Sequence, residues 1–216
     1  MALAFVGGTG PEGLGLVMRL AKAGEEVIIG SRSPQRAAEA VQKVLAHVPQ
    51  ARVQGMMNAE AVAHGHVVFV TVPYGGHKET LASLAPAIGH KLVVDVVVPL
   101  DFQRGGKISA VTVEEGSAAE QAQRLLPQAQ VVSGFHHLDA SQLMDVGKPI
   151  TADVIICGDA AEAKRTVIAL AEKIAGVRAL DGGRLANSRY VEAFTAVLLG
   201  FNRTYKAHTA IRIVGI

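Results

Sequence analysis

Directly behind an apolar run, residues 2–6, the chain reads Gly7-Gly8-Thr9-Gly10-Pro11-Glu12-Gly13-Leu14-Gly15. Glycines 8, 10 and 13 fit the G-x-G-x-x-G phosphate-binding pattern. Each glycine has its own reason. Gly8 allows a tight turn, Gly10 lets the backbone approach a pyrophosphate, and Gly13 lets the following helix pack close to the strand. The helix that starts here points its free N–H groups at the phosphates. A lone glycine pattern says little. Here a strand precedes it, an amphipathic helix follows, and a second apolar strand comes about twenty residues on, as a βαβ dinucleotide site requires.

The end of that second strand bears on which dinucleotide. A site for NAD usually closes the strand with Asp or Glu, which accepts from the ribose 2′-hydroxyl. This chain has Gly30-Ser31-Arg32 and no acid. A hydroxyl and a guanidinium suit a 2′-phosphate, and Arg36, four residues after Arg32, adds a second charge. The reading is NADP(H).

The rest of the chain extends the same pattern. Strands are expected at 2–6, 26–30, 52–54, 66–72, 91–98, 131–135, 154–157 and 177–180. Helices are expected at 11–23, 34–46, 58–63, 78–88, 117–126, 160–174 and 186–199. Gly24 stops the first helix, and Ser33-Pro34 caps and opens the second. Pro73 and Pro99 stop the fourth and fifth strands. The strand segments are continuous apolar runs, the mark of a parallel sheet covered on both faces. The fold class is therefore α/β, a doubly wound parallel sheet of Rossmann type with a small, mainly helical C-terminal segment. Residues 101–113, with Arg104, Gly105, Gly106 and Lys107, read as irregular. A soft boundary near residue 150 divides a dinucleotide-binding part, 1–150, from a smaller C-terminal region, 151–216, a candidate for a dimer interface and for the acceptor pocket.

Composition narrows the classes. Half of the 216 residues are hydrophobic and 19% are charged, below the usual quarter, which implies extensive burial and room for a subunit interface. A net charge of +2 is too small to argue for nucleic acid or a membrane surface. The one cysteine, Cys157, excludes an internal disulfide framework and reads as a packed strand residue. No basic segment precedes an apolar run at the N-terminus, and no apolar stretch nears the roughly 20 residues that span a bilayer. The cytoplasm is the expected location.

Taken together these segments resemble a known family, the F420-dependent NADP oxidoreductases, which move hydride between NADPH and the deazaflavin coenzyme F420. The likeness runs through Gly7-Gly8-Thr9-Gly10, Gly30-Ser31-Arg32, Thr71-Val72-Pro73, Val98-Pro99, the His136 region, Cys157-Gly158-Asp159, Leu180-Asp181-Gly182 and Asn187-Ser188-Arg189-x-Val191-Glu192. The last segment and Cys-Gly-Asp are the more specific. The resemblance implies that Thr9, Gly10, Pro11 and Glu12 lie on the pyrophosphate. It implies that Ser31, Arg32 and Arg36 hold the 2′-phosphate, and that Val72, Pro73, Val98 and Ala140 line the nicotinamide side. His136 would stand by the deazaflavin. The chain also departs from the family. Pro11-Glu12 replaces a small neutral pair, Arg36 a lysine, and Tyr74 a tryptophan, and His137-Leu138-Asp139 is more polar. Pro11 removes one N–H donor but suits a first helical position. Glu12 sets an acid near phosphates, which is unfavourable unless it turns outward.

Hydride transfer needs two rings stacked with the reacting carbons about 3–3.5 Å apart and water excluded, and little acid–base machinery. Bland residues such as Val72, Pro73, Val98, Pro99 and Ala140 suffice. The reduced deazaflavin also gains a proton, which His136 is placed to donate or relay. A basic rim for the deazaflavin's phosphate and glutamate tail is sought in Arg184, Arg189, Arg203, Lys206 and Arg212, or in Arg104 and Lys107.

Other signals are weaker. Tyr74-x-x-x-Lys78 has the spacing of short-chain dehydrogenases, but Gly75 and Gly76 oppose the helix that pair needs. His64 with His66, and His136 with His137, lack the acids or cysteines of a metal site, so none is expected. Ser188 has no base partner in sequence. The apolar segment with Phe194, Val197 and Leu198, flanked by Ala193 and Ala196, suggests a homodimer contact. Three alternatives remain: a reductase of the same fold acting on a flavin, metal ion or imine, a non-catalytic NADP(H)-sensing protein and, weakest of the three, a short-chain dehydrogenase.

Overall fold

The β-branched runs Val27-Ile28-Ile29 and Val67-Val68 lose less side-chain freedom in a pleated strand than in a helix, and they form strands. The computed structural model describes residues 1–102 and 108–216. Its strands are β1 (Ala2–Val6), β2 (Glu26–Ser31), β3 (Arg52–Met57), β4 (Val67–Val70), β5 (Leu92–Asp95), β6 (Leu100–Phe102), β7 (Ile108–Ala110), β8 (Gln130–Ser133), β9 (Ala152–Gly158) and β10 (Val177–Asp181). Its helices are α1 (Pro11–Lys22), α2 (Pro34–His47), α3 (Asn58–His64), α4 (His77–Ile88), α5 (Ala118–Leu125), α6 (Ala140–Met144), α7 (Ala161–Ala171) and α8 (Ser188–Tyr205). The punctuation behaves as its chemistry dictates. Gly24 takes φ +90° just past α1, and the Ser33 hydroxyl accepts from the Arg36 N–H at 3.4 Å to cap α2.

Among the described residues eight strands form one sheet in the order β10-β9-β8-β5-β4-β1-β2-β3. The chain winds outward from β1 to β2 and β3, then returns to the other side of β1 for β4, β5 and β8. The reversal between β1 and β4 is the topological switch point, where ligands sit in such sheets. Leu3, Phe5, Phe69 and Val94 pack into a core on one face, and Val68, Val70, Val93 and Val131 on the other. Phe5 and Phe69 stack at 4.6 Å between ring centroids. Cys157 is fully buried in β9, and burial pushes its thiol up to about 11.

The sheet is parallel with one exception that the sequence reading did not foresee. β9 runs antiparallel to β8, with Val132 opposite Gly158 and Ser133 opposite Cys157. The chain leaves β8 at its carboxyl end, makes the short α6, and comes straight back. A strand buried on both faces has no polar alternation to signal its direction, so the apolar run in β9 could not reveal this. β9 and β10 are again parallel, and the sheet continues across residue 150. Within the segment read as irregular, the described residues on either side of 103–107 include two short strands. β6 and β7 form a small antiparallel pair, Leu100 opposite Ala110. Arg104, Gly105, Gly106 and Lys107 lie outside the described residues. Among those described, no helix is long and apolar enough to cross a membrane.

Candidate functional site

A cleft of about 960 Å³ opens along the carboxyl ends of β1, β2, β4, β5 and β8. That is near the upper end of the range for small-molecule sites. Its floor is the glycine loop. Gly7 makes the sharp turn after β1, with φ +75°, and its N–H donates to Asn58 Oδ1 at 3.3 Å. Gly8 is turned away from the cleft. Its N–H reaches Phe5 and Gly30 carbonyls, each at 3.2 Å. Gly13 is the packing glycine: a Cβ there would fall 2.5 Å from Thr71 Oγ1. Gly10 differs from both, since a Cβ there would meet nothing nearer than the Gly7 carbonyl at 3.8 Å. Gly10 is also the N-cap of α1, without a side-chain cap. Open space and unsatisfied helix N–H groups meet at that point, which suits an anion.

Ser31, Arg32 and Arg36 line the cleft beside the end of β2. Ser31 is buried and its Oγ accepts from the Ser33 N–H at 3.2 Å, leaving its own hydroxyl proton to give. Arg32 and Arg36 are exposed. Across the switch point stand Val72, Pro73, Val96, Val97 and Val98.

The opposite wall is the β8–α6 segment, which carries His136 to Ala140. α6 is tied to α1 by close contact and by a buried arginine. A Cβ on Gly15 would lie 2.5 Å from Leu143 Cβ. One turn on, Arg19 donates to the carbonyls of Leu143 at 2.9 Å, Lys148 at 2.6 Å and Asp145 at 2.6 Å. The Arg19 fork thus holds the orphan carbonyls at the C-terminal end of α6. His137 donates from Nε2 to the Val191 carbonyl at 2.6 Å. His136 is buried with neither ring nitrogen hydrogen-bonded. Burial, with His137 adding to it, pulls its pKa down to about 3, so the ring is neutral at neutral pH.

Glu12 does not turn outward. It lines the cleft, and its Oε1 is buried without a hydrogen-bond partner. Burial, and then the Asp139 carboxylate, push the Glu12 carboxyl up to about 8. Asp139 is ionised. Burial opposes this, but donors from Ser141, His208 and Gln142 hold its pKa below the usual range.

Beneath the cleft lies a second polar group. His77 Nε2 and Asp95 Oδ2 are 2.7 Å apart and both side chains are fully buried. Burial alone would lower the His77 pKa, yet Asp95 and Gln121 more than offset it, and the net shift is upward. Asp95 Oδ1 accepts the Val97 N–H at 3.0 Å. The pair therefore fixes the start of α4 to the segment after β5, which is the cleft wall.

The structure brings Thr9, Gly10, Pro11, Glu12, Ser31, Arg32, Arg36, Val72, Pro73, Val98, His136 and Ala140 to one cleft; Gly8 and Gly13 stand behind it as packing residues. None of Arg184, Arg189, Arg203, Lys206 or Arg212 lines it. Arg189 pairs instead with Glu120 at 2.7 Å, and Arg212 stands 3.7 Å from Asp153. Tyr74 lies in a 3-10 turn and Lys78 in α4, so the two do not share a helix. Sequence reasoning missed Gly7, Asn58 and Thr71, and also the inner face of α8, where Thr195, Leu198 and Asn202 close the cleft together with Thr209. Thr195 and Asn202, seven residues apart and so on one face of α8, were the available signal.

Comparison with known proteins bears on the family and the fold. The sequence model of the family described as NADP oxidoreductase, coenzyme F420-dependent, matches residues 2–99. The F420-dependent NADP reductase of Methanothermobacter marburgensis is 42% identical, over 100% of this chain and 99% of its own length. That of Methanocaldococcus jannaschii is 39% identical over the same shares. A crystal structure from Arthrobacter sp. FB24, named as a proposed F420-dependent NADP reductase, superposes with a TM-score of 0.85 at 27% identity, covering 99% of both chains.

Proposed function

The chain belongs to the family of F420-dependent NADP oxidoreductases, and from that premise we propose which of its residues carry the reaction. The protein is an NADP-dependent oxidoreductase whose substrates are NADP(H) and coenzyme F420. NADPH supplies a hydride from its nicotinamide ring and the deazaflavin accepts it.

The protein's part is to bind, orient and keep water out. The open N-terminus of α1 at Gly10 takes the pyrophosphate, with Thr9, Pro11 and Glu12 around it. Ser31, Arg32 and Arg36 take the 2′-phosphate. Val72, Pro73, Val98 and Ala140 shape the nicotinamide end. His136 faces the acceptor as a neutral imidazole with two unused nitrogens. It serves as a hydrogen-bonding or relaying group, because an imidazolium at neutral pH is opposed by its burial. Residues 1–150 then form the dinucleotide-binding part, and 151–216 supply α8, which closes the acceptor end.

The outer face of α8 exposes Tyr190, Phe194, Val197, Phe201 and Tyr205, spaced as one helical stripe. A second copy of the chain is the proposed cover for it, making a homodimer. Leu198, grouped with Phe194 and Val197 in the sequence reading, points inward and is buried. The cytoplasm is the proposed location.

The observation that carries the assignment is the pair of exposed guanidiniums beside the buried Ser31 hydroxyl at the mouth of the cleft. Arg32→Ala tests it. A charge-assisted contact to phosphate is worth about 1.5–3 kcal/mol, so KM for NADPH should rise by about 10- to 100-fold while that for NADH stays nearly unchanged. Equal losses for both would remove Arg32 from the 2′-phosphate site. Bleaching of the oxidised deazaflavin band on mixing with NADPH and enzyme is the direct assay of the reaction.

A further inference from the structure

Glu12 is a half-buried acid on the cleft wall to which the proposed chemistry gives no proton-transfer role. It is the second residue of α1 and stands where the dinucleotide's pyrophosphate is read to lie. Its Oε1 is shut off from solvent and has no donor. An ionised carboxylate in that state carries a heavy desolvation cost. The N-terminus of α1 favours the ionised form, but the side chains around Glu12 supply no cation and the net shift is upward. α6 presents Asp139, a carboxylate held by the Ser141 N–H at 2.9 Å and by His208 at 3.1 Å, the latter from the segment after α8. The β8–α6 segment presents His136 and His137, whose pKa values burial pulls down, so neither supplies a cation at neutral pH. The arginines of the cleft, Arg32 and Arg36, belong to the β2–α2 segment and are exposed to solvent.

The geometry points to Glu12 as a proton-linked gate on dinucleotide binding: the cleft accepts NADPH only while the Glu12 carboxyl holds its proton. This rests on reading the cleft as the NADPH site. In the neutral form Glu12 offers one O–H donor to a phosphate oxygen. In the ionised form it puts a second negative charge, beside Asp139, against the incoming pyrophosphate. Burial already pushes its carboxyl up to about 8 in the free protein, and bound phosphates raise it further. Binding above about pH 8 must therefore recapture one proton, and Kd should climb by up to tenfold per pH unit. The 2′-phosphate does not obscure this, because its second ionisation, near pH 6, is complete in that range.

The test is NADPH binding followed by nicotinamide fluorescence and by calorimetry between pH 6.5 and 9.5. The intact protein should show a flat Kd up to about pH 8 and a rise beyond it. Calorimetry in buffers of different ionisation enthalpy should find close to one proton taken up per NADPH at pH 9 and none at pH 7. Glu12→Gln, which keeps the shape and cannot ionise, should bind with a flat Kd throughout. A flat Kd in the intact protein, no proton uptake at pH 9, or an undiminished rise in Glu12→Gln would each overturn the gate. Failure to bind NADPH at any pH would overturn the site assignment instead. The proton count on the unaltered protein decides the matter even if the variant does not fold.

Discussion

Two titratable side chains of the cleft, Glu12 half-buried and His136 buried, tilt stability in opposite directions. The Glu12 carboxyl is raised from 4.5 to about 8. Its native form therefore holds a proton that the unfolded chain releases, and stability is full below about pH 4.5 and is lost as pH rises toward 8. Glu192, pushed up to about 8 chiefly by burial, adds to the same trend. Without ligand, Glu12→Gln should lose less of its melting temperature between pH 5 and 8.5 than the parent does, measured by calorimetric scans. Equal losses would mean that Glu12 is not protonated in the folded protein. His136 has the reverse sign. Lowered from 6.5 to about 3, it stabilises above about pH 6.5, and that contribution drains away as pH falls toward 3. His136→Phe should resist acid unfolding better. His136→Ala should cut kcat by about tenfold, the value of one lost hydrogen bond, with little change in NADPH affinity. An unchanged kcat would leave the ring a structural one.

At the scale of elements, the cleft is held open by wedges and ties. Gly13 and Gly15 let α1 lie against Thr71 and Leu143, and Arg19 fastens α6 to the same helix. His77 and Asp95 tie α4 to the wall after β5. Removing one member of a buried ion pair costs about 3–5 kcal/mol. His77→Ala should therefore lower the melting temperature by about 10 °C and reduce kcat more than NADPH affinity, since the displaced wall is the proposed nicotinamide end. A melting temperature within a degree or two of the parent would show the tie to be idle. Much of this level was legible in the sequence. Ser33-Pro34 and Gly24 mark helix ends through local chemistry, and the glycine loop announces itself within nine residues. The direction of β9 was not legible, nor was the β6–β7 pair, whose strands are too short to show a period. The inward turn of Glu12 was missed because it depends on α6, more than a hundred residues away in sequence.

At the scale of the molecule, eight strands among the described residues make one continuous sheet, and the last long helix serves two surfaces at once. Thr195, Leu198 and Asn202 look into the cleft, while Phe194, Val197 and Phe201 look out. Apolar side chains of this size in an open stripe are costly to leave wet. Phe194→Asp combined with Phe201→Asp should convert a two-chain species into a one-chain species in sedimentation equilibrium at micromolar concentration. A parent that already sediments as one chain would remove the proposed dimer. The sequence pointed to residues 151–216 as an interface and an acceptor pocket but did not single out Thr195 and Asn202, because the partner of Thr195, the His136 carbonyl at 3.3 Å, lies 59 residues away in the chain.

The shared helix also bears on how the enzyme should be handled at the bench. Whatever steadies the outer row of rings also steadies the inner row of threonine, leucine and asparagine. Turnover per milligram should thus fade as a stock is diluted toward nanomolar working levels, and return when the stock is concentrated again.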